Sequence, residues 1–357
     1  EKIFELKKTK EGSKKMSELI CMDAAARMPE EHDIPDEVVN LNEARNKIAS
    51  TIGASPEEIY FMTGGAEAGA AAVKAAVSAS GKDHPHILTT MLENTGVFNA
   101  CRQMEEQGNG VTYLYPISTG RVEVAMIENE LKTDTCLISV TAANSETGTS
   151  EPFTGIGTMC DEKEILFHLD ASYGYGRMPI NVERSHIDML SVDASCFGGA
   201  KGTGFLYVRS GTEAGQYVEE DISDVGKIGR MALVAEKVNK NVAEYMQKVR
   251  EIRDHLCRRI FAEIEDVELY GHKDHHLVNH LEVRIKNVSA AVVQKQMAAS
   301  GIMIGIGTGS DILRVIGKSQ AEAAETVRFS LTSDVEKADA ERAVDLLKEI
   351  VTGQRVI

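Results

Sequence analysis

Short apolar runs alternate with longer stretches of helical spacing from residue 41 to residue 210 of this chain. An apolar run of about four to eight residues bounded by turn formers reads as a buried strand, and apolar positions three and four apart read as one helix face. On that basis the segment from Cys21 is a short strand end and turn, 41–52 an amphipathic helix, 59–62 a strand, 66–78 an alanine-rich helix, 86–90 a strand, 95–107 a helix and 111–115 a strand. The rhythm continues with a helix at 122–131, a strand at 137–141, a helix at 155–162, a strand at 165–169 that runs into Asp170, and a strand at 189–192. Strands separated by helices predict an α/β fold with a mostly parallel, doubly wound sheet. The apolar run 205–208 follows too closely for a crossover, so it is expected to turn back antiparallel.

Beyond Ser210 the pattern changes. A polar, acidic stretch at 213–227 leads into a long helical region at 231–264, then apolar strands at 277–285 and 326–331 around a helix at 290–300, and a closing helix at 335–351. These elements predict a smaller C-terminal α+β domain at 231–357 beside a larger domain at 17–230, with residues 1–16 packing on the smaller one.

Two glycine-rich turns stand where such a sheet presents its ligand-binding edge. Thr63-Gly64-Gly65 joins a strand to a helix and offers free N–H groups at the helix start, the shape of a phosphate cradle. Gly198 to Gly204 follows the strand at 189–192, and open α/β sheets bind ligands at the carboxyl ends of their strands. The chemistry-bearing residues there are Asp193, Ser195, Cys196 and Lys201.

Composition narrows the partners. A formal charge of -16 argues against nucleic acid or an anionic membrane surface. No apolar run reaches the length of a membrane span, and the basic start lacks the apolar centre of a signal peptide, so a cytoplasmic protein is expected. The six cysteines are scattered with no CxxC pair, which predicts neither a disulfide framework nor a local metal knuckle. His272, His275, His276 and His280 cluster in sequence, but in a polar turn entering a strand, and no metal site is assigned to them.

In order along the chain, Thr63-Gly64-Gly65-Ala66-Glu67-Ala68, Gly120-Arg121-Val122, 143–149, Phe167-His168-Leu169-Asp170-Ala171, 199–204 and Val327-Arg328-Phe329-Ser330 resemble the cysteine desulfurases of the class V aminotransferase-like, fold type I pyridoxal-phosphate proteins. The resemblance implies that fold, a homodimer and a place in sulfur or iron-sulfur metabolism. It also implies a cofactor site, which this chain has largely substituted. Cys196 stands at the Schiff-base lysine and Ser195 at the preceding histidine, while Lys201 matches a second, non-catalytic lysine. A thiol forms no imine.

Ala66 and Asp193 replace a phosphate-binding threonine and serine, Asn94 the histidine stacked on the ring, and Ser145 and Tyr173 the asparagine and glutamine near the ring hydroxyl. Asp170, partner of the ring nitrogen, and Arg328, partner of the substrate carboxylate, match, although capping or an ion pair with Arg177 is the alternative for Asp170. The sulfur-accepting cysteine falls on a mobile loop expected at 300–304, with Ile304 at its position. A Gly-Asn-Pro stretch expected between Val39 and Asn40, and an Arg-Ser-Gly-Thr stretch expected before Met231, are missing from the sequence.

The reading is therefore a desulfurase-like pseudoenzyme with no cofactor expected, acting as a dimeric scaffold or binding partner. Its alternatives are a divergent desulfurase or lyase that binds pyridoxal phosphate noncovalently, and a protein holding a metal or iron-sulfur cluster through Cys196.

Overall fold

A computed structural model describes residues 19–25, 39–240 and 242–355. Seven strands make the larger sheet, β2 (Ile59–Met62), β3 (His86–Thr90), β4 (Gly110–Leu114), β5 (Thr135–Thr141), β6 (Leu166–Asp170), β7 (Met189–Asp193) and β8 (Gly204–Val208), in the spatial order β2-β8-β7-β6-β5-β3-β4. β3 to β7 run parallel, and β8 lies antiparallel to both neighbours, as its closeness to β7 in sequence requires.

Helices cover both faces, which is why the central strands are apolar on both sides. On one face α1 (Leu41–Ile52), α4 (Val124–Asn129), α5 (Phe153–Glu162) and α6 (Val225–Lys240) enclose Phe61, Phe167 and Phe205. On the other, α2 (Gly65–Ala79) and α3 (Thr95–Glu106) pack over Met62, Ile87 and Leu206. Local chemistry sets the ends of α1: the Asn40 side chain accepts from Glu43 N–H, and Gly53 closes the helix at a φ of 74°.

The alanine content of α2 has a packing cause. A Cβ at Gly96 of α3 would lie 2.3 Å from the Ala66 carbonyl oxygen, and one at Gly69 of α2 would lie 2.6 Å from Val97. Small residues let the two helix starts touch, and those starts form one wall of the site.

The smaller sheet has the order β1-β11-β12-β10-β9, from β1 (Ile20–Met22), β9 (Val267–Tyr270), β10 (His280–Ile285), β11 (Ile302–Ile306) and β12 (Thr326–Ser330). β1 is parallel to β11 and the other pairings are antiparallel. α7 (Val242–Glu263), α8 (Ala290–Ala299) and α11 (Lys337–Arg355) pack against it, while α9 (Asp311–Val315) and α10 (Gln320–Ala324) lie near Tyr270. Two strands escape the sequence pattern, β9 and β11, while β1 ends where the segment from Cys21 reads as a strand end and turn, and the helical region at 231–264 is two helices, α6 beginning already at Val225. The proposed packing of residues 1–16 lies outside the described residues. Among the described residues no helix is long and apolar enough to cross a membrane.

Candidate cofactor site

The carboxyl ends of β6 and β7 face the first turns of α2 and α3, and four glycines make that approach possible. A Cβ at Gly204 would lie 2.8 Å from the Gly64 carbonyl carbon, and one at Gly65 would lie 2.6 Å from the Asp193 Cβ. Gly198, at a φ of 93°, ends the short helical turn Ala194–Phe197, and Gly199 tucks under Ala194. β7 thus delivers Asp193 directly to the start of α2.

There the Asp193 carboxylate is fully engaged by the chain itself. One oxygen accepts the Gly65 N–H at 2.9 Å, and the other accepts the Ser195 N–H at 2.8 Å and the Ser195 hydroxyl. A helix start favours an anion through its unpaired N–H groups, and this one has an internal carboxylate. Ala66, in the same turn, offers no side-chain donor.

Asp170, at the end of β6, is 1% exposed. One of its oxygens accepts from Asn94 Nδ2 at 2.8 Å; the other accepts from Ser172 N–H, from Ser172 Oγ at 2.7 Å and from Ser191 Oγ. Burial raises its pKa in spite of those bonds. Asn94 also caps α3, its Oδ1 accepting from Val97 N–H, so the amide facing Asp170 is held from both ends. Arg177 makes no pair with Asp170: its guanidinium donates to the carbonyls of Tyr173 and Cys196.

The remaining residues close the cleft. Burial with the neighbouring Cys196 pushes the Tyr173 phenol up to about 12. Burial and the Asp193 charge push the Cys196 thiol up to about 12 as well, so it is overwhelmingly protonated at neutral pH, opposite to a reactive or metal-binding cysteine. Lys201 is exposed on the glycine loop.

Arg328 sits on β12 in the smaller sheet, 8% exposed, with one nitrogen 3.4 Å from Asp23 and its Nε without a partner. Directly across on β10 is Glu282, buried with both oxygens unpaired, and burial holds its carboxyl well above the usual range. Sequence reasoning missed Glu282, although a glutamate inside the apolar run His280–Ile285 was a usable signal. It also missed Ser172 and Ser191, whose hydroxyls give no signal of their own.

The mobile loop expected at 300–304 is corrected by β11. Ile304 lies inside that strand, 1% exposed, with its carbonyl accepting from Gln294. The irregular segment comes afterwards, from Gly307 to Ser310, and Ser310 donates to Glu146. That segment contains no cysteine. Val39 and Asn40 are adjacent and both described, with Asn40 capping α1, and the place of the expected Arg-Ser-Gly-Thr stretch is the opening of α6. The four histidines are otherwise engaged: His280 bonds the Glu146 carbonyl, His276 meets Arg253, His272 accepts from Asp274 and His275 N–H, and the His275 ring packs on that of His272 at 4.7 Å. Among the described residues no group of three or more His, Cys, Asp or Glu side chains is placed to hold a metal ion.

Comparison with known proteins agrees with this architecture. The family description Aminotransferase class-V matches residues 12–218. "Cysteine desulfurase 2" of Trichormus variabilis is 30% identical over 337 residues, 89% of this chain and 83% of the relative. "Cysteine desulfurase IscS" of Clostridium botulinum is 31% identical over 334 residues, 88% of this chain and 84% of the relative. Among solved structures, a "NIFS-LIKE PROTEIN" superposes with a TM-score of 0.83 at 23% identity, over 94% of this chain and 100% of that one. One described as "SspA in complex with cysteine" gives 0.70 at 27% identity, over 87% and 98%. Matched along nearly its whole length, the chain belongs to the class-V aminotransferase family, in its cysteine desulfurase branch.

Proposed function

We propose that this protein is a desulfurase-fold scaffold that has given up pyridoxal-phosphate catalysis and works as a homodimeric, cytoplasmic binding partner in sulfur or iron-sulfur handling. The observation that carries this is the Asp193 carboxylate on the Gly65 N–H, because the donor a cofactor phosphate would need already serves an internal anion. The residues present do not fit the cofactor. Besides the cradle, the Asp170 oxygen that would meet a ring nitrogen takes the Asn94 amide, and Cys196 replaces the amine an aldehyde would need. The segment Gly307 to Ser310 brings no thiol that would accept sulfur.

A second reading, a divergent desulfurase or lyase that holds pyridoxal phosphate noncovalently, is favoured by the relatives, which are named cysteine desulfurases. The unpaired Nε of Arg328 favours it too, as a free donor for a carboxylate. Nothing comparable favours a metal or cluster on Cys196, whose thiol is held protonated.

Purified protein mixed with pyridoxal phosphate and cysteine separates the readings. The scaffold reading expects no aldimine absorption band, no bound cofactor after gel filtration and no sulfide. Retained cofactor with sulfide release would overturn it in favour of the enzyme.

A further inference from the structure

A cavity lies away from this cleft. It is an open crevice of about 940 Å³ whose residues come from the end of α1, the start of α5, the segment 179–185 that leads into β7, and the α6–α7 junction. Residues 179–185 precede the amino end of β7, whereas Asp193 is at its carboxyl end. A five-residue strand separates the two places by roughly 16 Å. The crevice shares no lining residue with the candidate cofactor site.

Its chemistry is unlike that of the rest of the chain. In a protein of net charge -16, the crevice carries Arg184, Lys237 and Lys240 against one acid, Glu236. That acid is already paired with Lys47 at 2.8 Å. Neither Arg184 nor Lys240 has an ion pair or a side-chain hydrogen bond within the described residues, and both are exposed. Lys240 stands in the last turn of α6, where a cation also suits the helix dipole; Arg184 is on no helix, and that explanation does not reach it.

Hydroxyl groups lie beside the cations. Thr154 and Ser185 pair at 3.1 Å, and since only one proton serves that bond, the other hydroxyl keeps a donor to offer. Buried Ile180 and Leu233 give the crevice an apolar floor. Unpaired cations, a spare hydroxyl donor and an apolar floor form a complement to an anionic head on a flat body, and the volume lies within the usual range for small-molecule sites.

We infer that this crevice binds a phosphate-bearing small molecule of up to nucleotide size, in contact with Arg184 and Lys240. The inference is independent of whether the cofactor site is active. Titration of the full chain with trinitrophenyl-ATP, read by the dye's fluorescence, tests it. Saturable binding is expected, displaced by inorganic pyrophosphate and weakened at least about tenfold in Arg184→Glu and in Lys240→Glu. Both side chains are exposed, and unchanged melting temperatures verify that the variants are folded. Lys163→Glu, an equal charge reversal outside the crevice, leaves binding unchanged, and so does Asp193→Ser, which separates this site from the cofactor cradle.

No saturation up to about 1 mM probe overturns the inference. An equal loss in Lys163→Glu also overturns it, by showing bulk electrostatics. Displacement by poly-glutamate but not by pyrophosphate would assign the crevice to an acidic protein segment instead.

Discussion

Replacing Asp193 with serine tests whether an internal carboxylate holds the place of a phosphate. In the native chain the carboxylate lies 2.9 Å from the Gly65 nitrogen, so a phosphate oxygen reaching the same N–H must bring its charge to about 5 Å from the aspartate. At an effective dielectric of about 20, two unit charges at that distance repel by about 3 kcal/mol, or on the order of a hundredfold in affinity. Serine removes the charge and still offers an oxygen to the Ser195 N–H, so the lost cap costs only about 1 kcal/mol of stability.

The assay is equilibrium binding of pyridoxal phosphate and of unphosphorylated pyridoxal to both proteins. The wild type should prefer neither, and Asp193→Ser should prefer the phosphorylated form by on the order of a hundredfold. An unchanged preference would refute the reasoning, because the carboxylate would then not control the cradle.

Two further outcomes follow from buried groups and close contacts. Glu151 is 4% exposed, with one oxygen accepting from Val122 N–H and the other unpaired, and burial pushes its carboxyl up to about 8. Because the folded pKa is raised, the contribution is full below pH 4.5 and is lost as pH rises through about 8. Glu151→Gln should therefore be the more stable protein at pH 9 in urea unfolding, by at most about 5 kcal/mol, with the gap closing toward pH 5. A gap that does not vary with pH would contradict this. Gly96→Ala places a Cβ 2.3 Å from a backbone oxygen that cannot rotate away, and should lower stability by about 2 kcal/mol or more in the same assay; a neutral result would mean α2 and α3 separate easily.

The larger sheet was legible because its strands are buried on both faces and its helices carry a clear apolar stripe. Even the reversal of β8 followed from the few residues after β7. β9 and β11 were not legible, for reasons visible in each. β9 is partly exposed along Val267-Glu268-Leu269, and β11 follows Gly301 in a run that reads equally well as a loop.

In the candidate site, the identities of Asp193, Asn94 and Cys196 were legible, and the resemblance marks each as a position where other groups are expected. What they do instead was not, because a carboxylate turned onto Gly65 and an amide turned onto Asp170 are matters of side-chain direction across long sequence separations. The crevice was illegible for a related reason: its walls come from segments near residues 50, 154, 184 and 240, none of which carries a motif.

The pairing of β1 with β11 bears on how the protein is made. Ile20–Met22 pair with Ile302–Ile304, and Ala25 N–H donates to Ser330 Oγ across 305 residues. On the ribosome the first strand emerges long before its neighbours exist, so the smaller sheet is completed only near the end of translation. Until then that strand has no neighbour to pair with, and its closing step is a pairing between chain ends of the kind whose loop-closure cost slows folding.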